Sequence, residues 1–344
     1  MKNLLVAQSG GPSAAINATI TGVIDAGIES GRVGHVYGAL NGIKGVLNEN
    51  FVNLDEVCDT KEKRDLLAIT PAAALGSCRW KLGNPKENAE EFEEIIRILR
   101  KNDIGYFIYT GGNDSMDTVY KLSVYCEEHN IDDIKVMGAP KTIDNDLWGT
   151  DMTFGFQSAV DIATNTIDCI HTTATSHSRI FIVEVMGHKV GWVTLHAGIA
   201  GGADIILIPE IPYDIEVVAE AIRRRTEAGK HFTILAVAEG AISKKDAKLS
   251  KKEYKEKLRN RKYPSIAYEV AEELKERTGQ EIRITVPGHT QRGGSPCLYD
   301  RVLATRLGAA AAELIMTEQY GYMIGIRNGE TTKVPLKEVA GKLK

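Results

Sequence analysis

The chain has 344 residues, 42 Lys and Arg against 46 Asp and Glu, and a formal charge of −4; 43% of it is hydrophobic and 26% charged. Those proportions describe an ordinary globular chain with enough apolar residues for one large α/β core or two medium ones. A mildly acidic balance speaks against coating nucleic acid or anionic membrane, so neither is expected as a partner, while a small anionic ligand stays open because local charge decides it.

In chain order, the first predicted strand is Leu4–Ala7, followed by the turn Ser9-Gly10-Gly11-Pro12-Ser13 and a helical pattern from Ala14 to Ala26. A helix over Glu90–Arg100 precedes strand Tyr106–Tyr109, the loop Thr110–Ser115 and a helix over Met116–His129. Strand Lys135–Met137 leads into Pro140–Asp146. Then come strands Ile180–Val185 and Ile205–Ile208, helix Ile215–Ala228, strand Phe232–Ala238, helix Ile266–Arg277 and strand Ile282–Val286. Continuously apolar strands alternating with helices imply parallel sheets covered on both faces, with ligands outside the carboxyl ends of the strands. Between Lys244 and Lys262 stand ten Lys or Arg and three Asp or Glu, which reads as a solvated excursion between a strand and the next helix. The only apolar run near the start, Leu4–Ala7, is too short for a signal peptide, and nothing reaches the length of a membrane span. Cys58, Cys78, Cys126, Cys169 and Cys297 are odd in number and form no C-x-x-C, which fits a reduced cytoplasmic chain.

Three loops carry chemistry. Ser9-Gly10-Gly11 lets backbone approach a ligand and opens a helix toward an anion, although paired glycines also serve plain turns. Thr110-Gly111-Gly112-Asn113-Asp114-Ser115 adds an amide and a carboxylate, oxygen donors suited to Mg²⁺; Ser115 and Asp114 also suit a helix cap and a helix dipole. Pro140-Lys141-Thr142-Ile143-Asp144-Asn145-Asp146 packs two carboxylates, an ammonium and a hydroxyl into seven residues. Phosphoryl transfer wants that inventory: a base for a hydroxyl, a carboxylate near a metal and a cation on the moving phosphate. Arg283 within an apolar strand, and the Gly-rich turn Gly288–Pro296 with His289 and Arg292, read as phosphate ligands. His171, His177 and His188 lack the spacing of a zinc site.

In order along the chain, these loops, with Gly76-Ser77-Cys78-Arg79, Val183–Gly187, Ala200-Gly201-Gly202, Ala238-Glu239-Gly240 and Tyr299-Asp300-Arg301, resemble the phosphofructokinase family. The resemblance implies two Rossmann-like three-layer α/β domains with the active site in the cleft between them. A larger donor-binding domain would comprise residues 1–156 plus 291–344. A smaller sugar-phosphate-binding domain would span 157–290 and carry the basic insertion near 244–262. The implied reaction phosphorylates fructose 6-phosphate on its 1-hydroxyl with Mg²⁺ as cofactor. Asp114 and Lys141 stand where ATP-dependent members usually have Gly, and pyrophosphate-dependent members typically carry Asp and Lys there. A carboxylate at 114 would repel a nucleotide's α-phosphate, and Lys141 supplies fixed positive charge to an inorganic leaving group.

By the same resemblance Asp144 is the base, with Lys141, Thr142 and Asp114 in the catalytic set. Gly11, Gly112, Arg79 and Lys141 bind the donor, and Asn113 and Asp146 attend the metal. Thr142, Asp144, Arg179, Met186, Gly187, His188, Glu239, Arg283, His289 and Arg292 bind the sugar phosphate. Arg179 and Arg283 would reach a neighbouring active site, implying a homodimer or homotetramer. Asn113 replaces a usual Asp and His188 a frequent Arg. Thr21 and Asp25 stand where regulated members carry effector-binding arginines, so little control by nucleotides or phosphoenolpyruvate is expected. An ATP-dependent enzyme of the same fold, a sedoheptulose 7-phosphate kinase and a non-catalytic regulatory subunit are the rival readings.

Overall fold

The structure is a computed structural model that describes residues 1–344. The chain forms two compact units, one of Met1–Ser158 with Arg292–Lys344 and the other of Ala159–Gln291. Its strands are β1 (Asn3–Gln8), β2 (Val36–Ala39), β3 (Phe51–Asn53), β4 (Ile104–Gly111), β5 (Lys135–Pro140), β6 (Ile180–Val185), β7 (Ile205–Leu207), β8 (Thr233–Ala238), β9 (Ile282–Thr285), β10 (Tyr322–Arg327) and β11 (Glu330–Pro335).

The first unit is a seven-stranded sheet in the order β11-β10-β5-β4-β1-β2-β3. Alternation along β1 explains its two faces. Leu4 and Val6 join one core with Ile20, Val23 and Ile24 of helix Ile16–Ser30 and Leu303, Leu307 and Ile315 of helix Leu298–Met316. Leu5 and Ala7 join another with Phe92, Ile95, Ile96 and Leu99 of helix Ala89–Lys101 and Val119 and Leu122 of helix Asn113–Glu128. A three- and four-residue apolar spacing on each helix meets a two-residue spacing on the strands, which is the three-layer α/β solution.

The sheet is not parallel throughout. β3 runs antiparallel to β2 through a connection that holds the short helix Ile43–Leu47, and β11 runs antiparallel to β10, so both edge strands are antiparallel. At the second edge Arg327 pairs Glu330 across the two residues Asn328 and Gly329, both with positive φ (51° and 81°), the turn that Asn-Gly favours.

The second unit is a four-stranded sheet, β7-β8-β6-β9, parallel at every pairing. Ile180, Ile182, Leu235 and Val237 face helices Ile215–Glu227 and Ile266–Thr278. Ala236, of opposite parity, faces helix Trp192–Ala200, where Gly198 abuts it and Ile206. The basic excursion is a short 3₁₀ turn at Asp246–Lys248 and a helix at Lys251–Arg259, opened by a reciprocal Ser250–Glu253 cap. Most of its cations face outward, but Lys257 turns in and bridges Asp246 at 2.5 Å and Glu269 at 2.8 Å.

Helices Ile16–Ser30 and Leu298–Met316 cross at two mid-helix glycines. A Cβ on Gly22 would fall 2.1 Å from the Thr305 carbonyl oxygen, and one on Gly308 would fall 2.1 Å from that of Thr19. This crossing holds the returning C-terminal segment on the first unit. Helix propensity alone makes Gly→Ala favourable by about 1 kcal/mol, whereas overpacking against backbone costs about 1–3 kcal/mol. Gly22→Ala and Gly308→Ala are therefore expected to lower the urea midpoint at unchanged slope; a neutral or raised midpoint would show that the helices are free to part.

Candidate active site

Register between neighbouring strands assembles the site. In the order β5-β4-β1, Gln8 pairs Thr110 and Gly111 pairs Pro140, so the three loops leave the sheet side by side. Backbone bonds continue the alignment: Ser9 N–H donates to Thr110 at 2.8 Å, and Lys141 N–H to Gly111 at 2.9 Å. β1 and β4 also flank the point where strand order reverses, since the chain leaves β1 toward β2 and leaves β4 toward β5.

Lys141 is the centre of this arrangement. It is 3% exposed and its Nζ donates to the Gly11 carbonyl at 2.6 Å. Burial and the Arg292 and Arg79 guanidiniums lower its pKa to about 7, against the opposing pull of Asp144 and Asp146. Arg292 crosses the first loop closely: a Cβ on Gly11 would lie 2.4 Å from its Nη1, so this glycine makes room for a cation.

The Pro140–Asp146 loop is strapped from within. Thr142 Oγ1 accepts from the Asp144 N–H at 3.0 Å, and Thr153 Oγ1 donates to the Thr142 carbonyl at 2.8 Å. Asn145 takes the left-handed conformation (φ 54°) and accepts from the Thr153 N–H at 3.0 Å, fixing the backbone between the two carboxylates. Asp146 is buried and Asp144 half-buried.

The neighbouring helix begins at Asn113, three residues before the expected Met116, with Gly112 as its N-cap. Ser115 therefore lies inside the first turn and is not the cap. Asn113 donates from Nδ2 to Asp146 Oδ2 at 2.7 Å, so it buttresses the carboxylate it was expected to accompany at a metal. Asp114 is also not a bare negative charge: its Oδ1 lies 2.7 Å from Lys81 Nζ. No group of three His, Cys, Asp or Glu is close enough to hold a metal ion alone. One or two carboxylates with amide and hydroxyl oxygens nearby fit Mg²⁺, which keeps waters and takes substrate phosphate oxygens.

The second unit has its own cluster at the strand ends. Glu239, directly after β8, accepts from the N–H groups of Gly187 (3.2 Å) and His188 (2.6 Å), which follow β6. His188 has a positive φ of 53° and an exposed side chain. Buried Gln291 accepts from Met186 N–H at 3.3 Å and donates to the Gly288 carbonyl at 3.1 Å, while His289 beside it is exposed. Arg283 lies on edge strand β9 opposite Phe181 of β6, and Glu281 pairs with both Arg283 and Arg179.

Comparison with known proteins identifies this architecture. A family model described as phosphofructokinase matches residues 3–315. The chain belongs to the phosphofructokinase family. It is 43% identical over 347 residues to an ATP-dependent 6-phosphofructokinase of Spirochaeta thermophila, covering 98% of this chain and 91% of that protein. It is 39% identical over 341 residues to a pyrophosphate–fructose 6-phosphate 1-phosphotransferase of Amycolatopsis methanolica, covering 98% and 94%. The crystal structure of a pyrophosphate-dependent phosphofructokinase from Nitrosospira multiformis superposes with a TM-score of 0.86 at 30% identity, covering 100% of this chain and 85% of that one. The chain is thus a phosphotransferase of this enzyme family, with the mixed α/β fold of parallel sheets that the sequence implied.

Among the expected donor and catalytic residues, the structure gathers Gly11, Arg79, Lys141, Asp144 and Asp146 around one ammonium. It adds Arg292, which the resemblance groups with the sugar-phosphate clamp and whose guanidinium lies against the first loop. It pairs Arg179 with Arg283 through Glu281. Lys81, Asn145, Glu281 and Gln291 escaped the sequence reading; for Asn145 the clue was an Asn between two acidic residues, a type that tolerates φ > 0. Thr21 and Asp25 are corrected too. Thr21 is buried and donates to the Asn17 and Arg64 carbonyls, and Asp25 pairs with Arg64 Nε at 2.6 Å. That helix face is covered by helix Lys61–Ile69 and neutralised, so Asp25 has no free charge with which to repel an effector.

Lys141 sets a pH dependence. Its folded pKa of about 7 lies below its ordinary 10.5, so between those values the unfolded chain binds the additional proton and stability rises with pH. Below about pH 7 the ammonium is charged in both states and the penalty of burying it is felt in full. In ligand-free protein, Lys141→Met should therefore gain most over wild type in thermal midpoint near pH 6, with the gap narrowing toward pH 10. Parallel stability curves for the two proteins would contradict the burial of a charged Lys141.

Proposed function

We propose that this enzyme transfers a phosphoryl group from pyrophosphate to the 1-hydroxyl of fructose 6-phosphate, giving fructose 1,6-bisphosphate and phosphate, and that it runs in both directions in the cytoplasm. The observation that carries the reading is Lys141, a buried ammonium with two guanidiniums beside it and a carboxylate, Asp114, at the adjacent helix start. Such a cluster of cations favours a compact polyanion strongly enough to justify its own desolvation. An occupied position 114 leaves less room for the rest of a nucleotide.

In this reading Asp144 takes the proton of the attacking 1-hydroxyl as the new oxygen–phosphorus bond forms. The bond from phosphorus to the bridging oxygen breaks, and the electron pair leaves with inorganic phosphate. Lys141, held on the Gly11 carbonyl, and Arg79 compensate charge on the donor, and Arg292 compensates it on the transferred group. Thr142 and Asn145 keep Asp144 aimed. Catalysis is then mostly positioning and electrostatics. Asp146, buttressed by Asn113, would hold Mg²⁺, which supplies neutralisation of the donor's phosphate oxygens. Met186, Gly187, His188 and Glu239 are assigned to the sugar. Arg179, Arg283 and His289 are assigned to its 6-phosphate, with the two arginines serving a neighbouring copy in a homodimer or homotetramer. No helix is long and apolar enough to cross a membrane, and the cysteines are free thiols, which supports the cytoplasmic assignment.

ATP as donor is the second reading, favoured by the name of the 43%-identical relative from Spirochaeta thermophila. A donor comparison separates them: kcat/KM with pyrophosphate should exceed that with ATP by orders of magnitude, and the Asp114→Gly, Lys141→Gly double variant should shift the ratio toward ATP. Wild-type protein that runs well on ATP and poorly on pyrophosphate decides for the second reading. Asp144→Ser should lower kcat by about 10²–10⁴-fold with fructose 6-phosphate affinity retained, and wild-type turnover in that variant would remove Asp144 from the proton step.

Regulation follows from the covered face at Thr21 and Asp25. Fructose 6-phosphate saturation curves are expected to superpose with and without ADP or phosphoenolpyruvate at millimolar concentration. A severalfold shift of the half-saturation point would place an effector site on this chain after all.

A further inference from the structure

The Lys81–Asp114 ion pair is 70% and 66% exposed at its two side chains, so as a stabilising contact it is worth little. Its position matters more than its strength. Asp114 is the second residue of helix Asn113–Glu128, directly after the glycine turn beside Lys141. Lys81 lies two residues beyond Arg79 in an irregular stretch fixed at both ends. Ser77 Oγ donates to the Gly10 carbonyl at 2.6 Å before it, and Lys121 Nζ donates to the Leu82 carbonyl at 2.9 Å after it. Lys121 is tied in turn to Asp117 at 2.8 Å, one turn along the helix from Asp114. Lys81 is thus delivered to the acidic start of this helix by a segment that also carries a donor-end arginine.

The charge balance raises a problem that this pair solves. A lone carboxylate at 114 would repel a nucleotide's α-phosphate most, but it would also discourage pyrophosphate, since both are polyanions and Coulomb repulsion falls only gradually with distance. Selection between them needs a group that keeps its bulk while its charge is compensated in place. We propose that Lys81 is a donor-specificity residue: its ammonium neutralises and holds Asp114, so that the carboxylate obstructs a longer donor without repelling a compact one. This rests on the assignment of the Gly111–Asp114 turn to the phosphoryl donor. Specificity then comes from an obstruction against the wrong ligand more than from a new contact with the right one.

The test is a double-mutant cycle on steady-state kinetics with pyrophosphate at saturating fructose 6-phosphate. Lys81→Met, which keeps length and removes charge, should raise KM for pyrophosphate about fivefold at low salt, with kcat nearly unchanged. The effect should shrink at high ionic strength, as an exposed charge term does. Asp114→Asn placed on Lys81→Met should return KM to within about twofold of wild type, because the uncompensated charge is gone. A purely structural role predicts instead that Asn worsens or leaves unchanged the Lys81→Met defect. An unaltered pyrophosphate KM in Lys81→Met, or no rescue by Asp114→Asn, overturns the proposal. The donor assignment fails separately. If KM for fructose 6-phosphate moves while that for the donor does not, the turn belongs to the sugar. If wild type accepts only ATP, the pyrophosphate reading fails and the obstruction fails with it, whereas an unaltered KM in Lys81→Met of an enzyme that does run on pyrophosphate overturns this proposal alone.

Discussion

A buried ammonium with two guanidiniums beside it is a condition that a protein tolerates only with a purpose. Lys141 sits at 3% exposure with Arg292 and Arg79 pressing its pKa down to about 7. Desolvation and like charge act in the same direction, and two carboxylates only partly offset them. A phosphate-rich ligand relieves all three cations together. The substrate-free site is therefore poised to take up anionic charge, and the rest of the first unit is what holds it in that condition. Parallel register brings the three loops together, the Thr142–Asn145–Thr153 strap stiffens the one that carries the carboxylates, and the Gly22–Gly308 crossing keeps the C-terminal segment on this unit.

The second unit treats its charges differently. Arg179 and Arg283 share Glu281, and Glu239 is occupied by two backbone N–H groups at the end of β6. Here anionic and cationic groups satisfy one another before any ligand arrives. Any anionic ligand taken up there would have to exchange one set of partners for another, which makes net affinity a difference between large terms. At the donor end, in contrast, attraction is largely unspent.

Much of this was legible in the sequence, for physical reasons that also mark the limit. Strand runs and the glycine loops after Gln8, Tyr109 and Met137 announce a parallel sheet with its site at the carboxyl ends, because backbone must approach a ligand there and only small residues permit it. The β10–β11 hairpin was missed, although Asn328-Gly329 is a strong two-residue turn signal, because the polar run Glu330–Lys333 lacks the continuous apolar pattern of the other strands. Lys81, Glu281 and Gln291 were invisible for another reason: each acts through a partner far away in sequence or across a strand pair, and no spacing rule encodes that. Arg292 shows a subtler limit. Its motif marked it as an anion ligand, but which anion depends on where the chain re-enters the first unit, immediately at that residue.

Donor identity turns on the same distinction between global likeness and local charge. The chain is 43% identical to a relative named for ATP and 39% identical to one named for pyrophosphate, each over nearly its whole length. Overall similarity of this kind measures the shared fold and hardly touches the choice of phosphoryl donor. The choice falls to a few side chains around Lys141. In the proposed reading Lys141 rewards compact charge density, and Asp114 occupies space at the helix start while Lys81 balances its charge. Discrimination at such a site is spread over three or four residues. A change that small leaves no trace in identity over 340 residues, and it becomes visible only when each of those residues is placed beside the charges it faces.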